Sequence, residues 1–327
     1  VIWHGKMRKM RRGLSLLALA LLAVGLPLMD SVPIVLDEHG TSVVSGPAKA
    51  LPVVIWHGMG DTCCLPVSMG WVKKRIEEAV PGVYVNSLMI GDNVVEDQYN
   101  GYLMPIARQL DLACKLVADD VKLRDGFHAV GFSQGGLFLR ALVQTCAEAK
   151  VVNLVSIGGP QQGIFGIPKC TDADSTLCDT MRTLLELGAY VPLVQNRLVQ
   201  AQYWHDPVAG AKYVADNVFL PRINGDEAGR NATQAARMGS LKTFVMVKFL
   251  NDTVVVPKES EWFGFYGPDG KGLVEAEATP LYKEDWIGLQ ALDKAGKLVR
   301  LESPGDHLQM PEGYFEKRII PYLSEAA

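Results

Sequence analysis

The ten residues from Phe127 to Gly136 constrain the fold of this chain more than any others. An apolar run, Phe127-His128-Ala129-Val130, leads into Gly131-Phe132-Ser133-Gln134-Gly135, and a helix-like stretch from Leu137 to Ala147 follows at once. The G-x-S-x-G pattern suits a serine held at a strained turn between a strand and a helix, because glycines two residues to either side let the backbone turn sharply and approach its neighbours. Such a turn leaves the hydroxyl above the end of the sheet, at a helix N-terminus. In that setting Ser133 is expected to be a nucleophile, and the competing reading, a Gly-rich structural turn, does not account for the strand and helix on either side.

The remainder of the chain supplies the sheet that such a turn requires. Strand-like runs are expected at Leu51 to Trp56, Val83 to Ile90, Phe127 to Val130, Val151 to Ile157, Leu241 to Leu250 and Lys297 to Leu301. Helical spacing of apolar residues separates them at Trp71 to Ala79, Gly101 to Leu123 and Leu281 to Ala295. Alternation of this kind predicts an α/β fold: a mostly parallel sheet covered by helices on both faces. From about residue 158 to 240 the strand signal fades into short amphipathic stretches such as Met181 to Leu198. A segment of that length is too long for a simple connection, and we read it as a helical insertion over the C-terminal edge of the sheet. Its apolar residues, among them Ile164, Phe165 and Trp204, either line a lipid groove or pack the insertion's own core.

A serine nucleophile needs a base to take its proton and an acid to hold that base in the correct tautomer; in α/β-hydrolases the chain order is Ser, then Asp or Glu, then His. Only His205 and His307 follow Ser133. His205 lies inside the insertion, whereas His307 follows the strand-like run Lys297 to Leu301, so His307 is the expected base. Asp252 comes straight after Phe244 to Leu250 and is the expected acid, while Asp306 adjoins His307 and is expected to point away. Backbone N–H groups of Gln134, after the nucleophile, and of Met59, in His57-Gly58-Met59-Gly60-Asp61, are the expected oxyanion hole. His57 then orients that loop or packs.

The N-terminal residues look like an export signal. Lys6 to Arg12 is cationic, and Leu14 to Leu28 is an uncharged apolar run of fifteen residues, short of the roughly twenty that span a membrane. Residues 7–29 are read as the signal peptide and 30–327 as the mature hydrolase domain. Val1 to Gly5 repeats Val54 to Gly58 without wider similarity, and residues 1–6 are read as a gene-model artefact. Export leads to an oxidising compartment, so six cysteines point to disulfides, for which fifteen pairings exist. Sequence separation favours Cys170 with Cys178. Cys114 and Cys146 lie on helix-like stretches flanking the elbow strand, and Cys63 and Cys64 are adjacent. The C-x2-C and H-x3-H spacings of a zinc site are absent, so no metal is expected. Asn231-Ala232-Thr233 and Asn251-Asp252-Thr253 are glycosylation sequons. The formal net charge of −4, with basic residues dispersed beyond the N-terminus, gives no reason to expect nucleic acid as a partner.

Several segments together carry a family resemblance: Val53 to Asp61 with Cys63-Cys64, Gly131 to Gly136, Gln200 to Pro207, Phe244 to Asp252, Glu261 to Tyr266 and Gly305 to Gln309. In these the chain resembles the palmitoyl-protein thioesterase family from about Leu51 to Leu323. The resemblance implies an α/β-hydrolase with a lipid-binding insertion that cleaves the thioester between palmitate and protein cysteines, acting on S-palmitoylated proteins or long-chain acyl thioesters without a cofactor, in the lysosome or vacuole or after secretion. It places the triad on Ser133, Asp252 and His307, the disulfides on Cys63–Cys64, Cys114–Cys146 and Cys170–Cys178, and glycans on Asn231 and Asn251. Pro160-Gln161 departs from the family's usual Gln-His at the start of the insertion, where it is expected to bear on chain-length preference or rate. A family glycosylation position around Val214 to Phe219 is also missing. The rival readings are a secreted lipase or carboxylic esterase using the same triad, and a catalytically silent lipid carrier.

Overall fold

In a computed structural model the described residues are 34–36, 42–44, 50–167, 176–226 and 230–325. The expected signal peptide and residues 1–6 lie outside them, as does Cys170. Strands β1 (Ile34–Leu36) and β2 (Ser42–Val44) pair antiparallel as a separate hairpin.

Six strands form the central sheet: β3 (Val53–Trp56), β4 (Val85–Ser87), β5 (Phe127–Phe132), β6 (Val151–Ile157), β7 (Thr243–Phe249) and β10 (Leu298–Ser303). Their order is β10-β7-β6-β5-β3-β4, and every pairing is parallel. A small antiparallel pair, β8 (Phe265–Tyr266) with β9 (Leu273–Val274), lies apart from this sheet. The expected strands are all present: β3, β4 and β7 are shorter than expected, β6 has the expected limits, and β5 and β10 run two residues further at their C-terminal ends. The four inner strands, β3, β5, β6 and β7, are buried nearly throughout, as a sheet covered on both faces requires, and the period-2 alternation separates the two cores. Val54, Trp56, Phe127, Ala129, Leu154, Phe244 and Met246 pack on one side. Val53, Ile55, Val130, Phe132, Val155, Val245 and Val247 pack on the other. This is the α/β-hydrolase arrangement.

The helix Met69–Ala79 buries Met69, Val72 and Ile76 on one face. The single helix expected over Gly101 to Leu123 is instead two, Val94–Leu103 and Ile106–Asp119. Met104 is extended between them, since the ring of Pro105 disfavours the helical conformation in the residue before it. Likewise Leu281 to Ala295 divides into Pro280–Lys283 and Leu289–Lys294 around Asp285 and Gly288, both with positive φ. The elbow helix, Gln134–Thr145, is buried on every side from Gln134 to Gln144, because the sheet lies under it and the 158–240 segment over it.

Between β6 and β7 the described residues form no strand; apart from one isolated bridge they form turns, irregular stretches and the helices Thr176–Glu186, Pro192–Gln195, Val199–Gln202, Gly210–Asp216, Leu220–Asn224 and Ala232–Gly239. The amphipathic stretch Met181 to Leu198 is broken at Gly188, whose φ of 114° a side chain would resist. Arg140 ties this region to the elbow helix. It is fully buried and donates to the Gln161 side chain (2.7 Å), the Gln161 carbonyl (3.0 Å), Asn224 Oδ1 (2.7 Å), Gln144 Oε1 (3.1 Å) and the Ile223 carbonyl (3.2 Å). Burial lowers its pKa to about 9, which still leaves it charged at neutral pH.

Asp226, in the same region, accepts a hydrogen bond from Tyr213 at 2.9 Å, yet burial raises its pKa to about 6. The folded chain therefore binds a proton that the unfolded chain has lost between pH about 4 and 6, and this group's contribution to stability falls as pH rises through that window. The shift corresponds to on the order of 2 kcal/mol after allowing for the group's partial exposure. Asp226→Asn is expected to flatten the decline in denaturant-measured stability between pH 4 and 7. A variant with the wild-type slope would contradict this account.

Candidate active site

Ser133 sits between β5 and the elbow helix with φ 54° and ψ −127°, a conformation costly for a residue with a Cβ. The neighbouring glycines explain how the turn closes. A Cβ at Gly131 would lie 2.2 Å from the Gly135 carbonyl oxygen, and one at Gly135 would lie 2.5 Å from that of His57. Both contacts are with backbone, which has no room to yield, so the turn demands glycine at these two positions.

The C-terminal ends of β7 and β10 bring the other two expected residues to the serine. His307 Nε2 lies 2.8 Å from Ser133 Oγ, and His307 Nδ1 lies 2.5 Å from Asp252 Oδ2. Asp252 Oδ1 accepts the N–H groups of Val254 (2.7 Å) and Val255 (2.8 Å), which fixes the carboxylate plane. Burial raises the pKa of Asp252, but the hydrogen bond and charge of His307 oppose that and win, so the group is held ionised below its ordinary range. Asp306 does point away from the imidazole. Its Oδ1 accepts Thr253 N–H (2.8 Å) and the His307 N–H (2.7 Å), clamping the β10 loop onto the β7 loop.

The strand between these loops and the nucleophile also matters. Gly158, with φ 66°, follows the last residue of β6; a Cβ there would come within 3.2 Å of His307 Cε1 and of the Phe249 ring. The imidazole reaches across the end of β6 because nothing stands on it.

On the other flank the His57-to-Asp61 loop runs against the nucleophile, where a Cβ on Gly58 would lie 3.0 Å from Ser133 Cβ. Gln134 occupies the first position of its helix, where a backbone N–H has no intrahelical partner. Its side chain donates to the Gly101 carbonyl (3.0 Å) and accepts from Gln200 and Tyr203, both at 3.2 Å. His57 is buried under the loop, with Nδ1 2.8 Å from the Gly58 carbonyl and Nε2 at an ion-pair distance of 3.3 Å from Asp97 Oδ2. Burial lowers the pKa of His57, and the Asp97 hydrogen bond and charge raise it by more. Asp97 also accepts from Thr62 Oγ1 and from the N–H groups of Cys63 and Ile90. A buried histidine–aspartate pair thus supports the loop.

The remaining expectations fall as follows. Cys63–Cys64 and Cys114–Cys146 are disulfides; the third expected pair includes Cys170, outside the described residues. Ile164 is 2% exposed and belongs to the core, where its backbone bridges Trp204. Phe165 and Trp204 are partly exposed and meet edge to face at 5.6 Å, with Tyr266 beyond them. Gln161, one of the two departures from the family pattern, is fully buried between Arg140 and Ser156 Oγ (2.8 Å), so its side chain offers no surface to a ligand. His205 stacks between Tyr213 (4.1 Å) and Phe265 (4.3 Å), and burial lowers its pKa to about 4, keeping it neutral. Asn231 and Asn251 are exposed. Asn231 caps the helix Ala232–Gly239 through its carbonyl oxygen, and Asn251 Nδ2 donates to the Pro304 carbonyl at 2.6 Å.

Among the described residues, two groups of side chains have the composition of a metal site: Asp252, Glu261 and His307, and Cys114, Cys146 and Glu148. Both ring nitrogens of His307 are already engaged with Asp252 and Ser133, and the two cysteines are bonded to each other. The sequence reading assigned no role to Asp97, Arg140 or Glu261. Each is a charged residue type whose letter does not distinguish a solvated side chain from a buried one, and only the packing shows it buried.

Residues 52–307 match the family described as palmitoyl protein thioesterase. The chain belongs to that family. It is 46% identical to palmitoyl-protein thioesterase 1 of Caenorhabditis elegans over 83% of this chain and 91% of that protein. It is 33% identical to palmitoyl-protein thioesterase 3 of Dictyostelium discoideum, covering 83% of this chain and 92% of the relative. A rat protein named as a lysosomal thioesterase is 32% identical over 78% of this chain and 80% of its own length. As a member of this family the chain is a hydrolase of thioesters, and no helix among the described residues is long and apolar enough to cross a membrane.

Proposed function

We propose that this chain removes palmitate and similar long acyl groups from cysteine side chains of proteins in an acidic compartment of the secretory route, the lysosome or vacuole. The observation that carries the reading is the unbroken relay from Asp252 through His307 to Ser133, at 2.5 and 2.8 Å, in a member of this family. Ser133 Oγ attacks the acyl carbonyl as His307 Nε2 takes its proton; the carbon–sulfur bond then breaks, and the imidazolium returns the proton to the leaving cysteine sulfur. Water, deprotonated by His307, attacks the acyl-enzyme and releases the fatty acid with Ser133 restored. Asp252 holds the Nδ1–H tautomer and stabilises the imidazolium. The N–H groups of Met59 and Gln134 receive the developing oxyanion. No metal or redox cofactor enters this sequence of steps.

Chain-length preference arises from apolar burial at about 0.8 kcal/mol per methylene, with Phe165 and Trp204 the candidate groove residues and Ile164 behind them. Glycans on Asn231 and Asn251 fit the same route. The test is the initial rate of thiol release from a palmitoyl thioester peptide against that of alcohol release from the matched oxygen ester. A higher kcat/KM for the thioester supports the reading. Faster oxygen-ester turnover would move the chain to the lipase or carboxylic esterase class.

A further inference from the structure

Behind the triad acid lies a second carboxyl group that the mechanism does not use. Glu261, on the short 3-10 helix Lys258–Trp262 that follows β7, is 1% exposed. The helix is held from several directions. Trp262 Nε1 donates to the Met246 carbonyl (3.0 Å), Ser260 Oγ donates to the Gly163 carbonyl (2.6 Å), and Ser260 accepts the backbone N–H groups of Gln161 and Gln162. Glu261 Oε2 accepts the Phe249 N–H at 2.9 Å. Oε1 is buried and accepts no hydrogen bond. One carboxyl oxygen of Glu261, one of Asp252 and a His307 ring nitrogen lie within 4.8 Å of one another.

Two carboxylates that close in a buried site do not both ionise, because each raises the proton affinity of the other. The donors decide which one keeps the proton. Asp252 accepts from Val254 N–H, Val255 N–H and His307 Nδ1–H, whereas Glu261 accepts from the Phe249 N–H alone. The charge therefore resides on Asp252. A proton on Glu261 Oε1 also gives that buried, otherwise unpartnered oxygen a hydrogen to donate, with the Asp252 carboxylate close by. We propose that Glu261 is a positioning residue, a neutral carboxylic acid whose Oε1–H donates to the Asp252 carboxylate and holds it in register with His307. The inference rests on the thioesterase reading only in taking Asp252 as the triad acid.

The other charged groups around the site do not alter this assignment. Lys248 Nζ lies over the Trp262 ring at 3.9 Å, Lys258 Nζ donates to the Leu250 carbonyl, and Asp306 is committed to Thr253 and the His307 N–H. Burial, with the Asp252 hydrogen bond and charge added, raises the Glu261 pKa well above the carboxylate range.

The test compares Glu261→Gln and Glu261→Leu in the full chain. Glutamine keeps a neutral donor for Asp252 and an acceptor for the Phe249 N–H; leucine keeps neither. Glu261→Gln is expected to retain kcat within about threefold and to leave the acid limb of kcat/KM in place. Glu261→Leu is expected to lose about 10- to 100-fold in kcat with little change in KM, since it orphans a buried donor and frees the Asp252 carboxylate to turn. A drop of about one unit in the His307 titration midpoint in Glu261→Gln would show that a negative charge had been removed, and would overturn the proposal. So would a glutamine variant as damaged as the leucine one, or a leucine variant as active as the wild type. Following the His307 imidazole by NMR reads the same midpoint without substrate, so an enzyme that fails to turn over thioesters at all would sink the thioesterase reading while Glu261 is still tested.

Discussion

Replacing Ser133 with alanine is expected to lower kcat for a palmitoyl thioester by about 10⁵ to 10⁶, the loss typical of removing the nucleophile from a triad. No other hydroxyl takes its place: Oγ is the group 2.8 Å from His307 Nε2 at the end of the elbow strand. The fold should not suffer with it. Serine and alanine meet the same steric cost at φ 54°, and Ser133 Oγ caps no backbone group of the helix that follows. Thermal unfolding should therefore be nearly superimposable while single-turnover acyl transfer vanishes. Retention of more than about one part in a thousand of the wild-type rate would mean that the nucleophile lies elsewhere.

Asp252→Asn should cost about 10³ to 10⁴ in kcat, for a reason that lies in the hydrogen bonds around the carboxylate. Asp252 Oδ1 is held by the N–H groups of Val254 and Val255, which accept no substitute for an oxygen. The asparagine carbonyl must therefore stay there, and its NH2 group turns toward His307 Nδ1. The imidazole then has to accept at Nδ1 and carry its proton on Nε2, the nitrogen that should take the proton from Ser133. The check is kcat across the pH range together with an NMR assignment of the His307 tautomer. Near wild-type turnover with the proton still on Nδ1 would refute the argument.

The strands and the meeting of Ser133, His307 and Asp252, the proposed triad, were legible in the sequence for the same reason: each depends on order along the chain. Runs of four to seven apolar residues bounded by polar ones are buried strands in a doubly covered sheet, and the strand expected at Val151 to Ile157 is found at those limits. His307 and Asp252 stood out because only a few candidates follow Ser133 at strand ends. The helices were less legible. Periodicity continues across a break when the residues beyond it are also apolar, as at Pro105 and at Asp285 to Gly288. Least visible were Asp97, Arg140 and Glu261, since a buried charge and an exposed one have the same letter and only the partners distinguish them. Gln161 makes the same point from the other side. Its position near the reacting centre suggested an effect on the ligand, whereas its side chain is consumed in holding Arg140.

Gly158 carries a further consequence. Ser133 and its two partners stand on strands separated by β6, and the imidazole crosses just beyond the end of that strand over Gly158, where a Cβ would crowd its ring. An enzyme of this architecture can therefore lose its chemistry through a substitution that deletes no functional group and leaves all three triad residues in the sequence. A survey of natural variants confined to reactive side chains would pass over position 158. Yet a single methyl group added there presses on the imidazole ring, and in a population that vacancy would be guarded by selection as closely as the groups it lets meet.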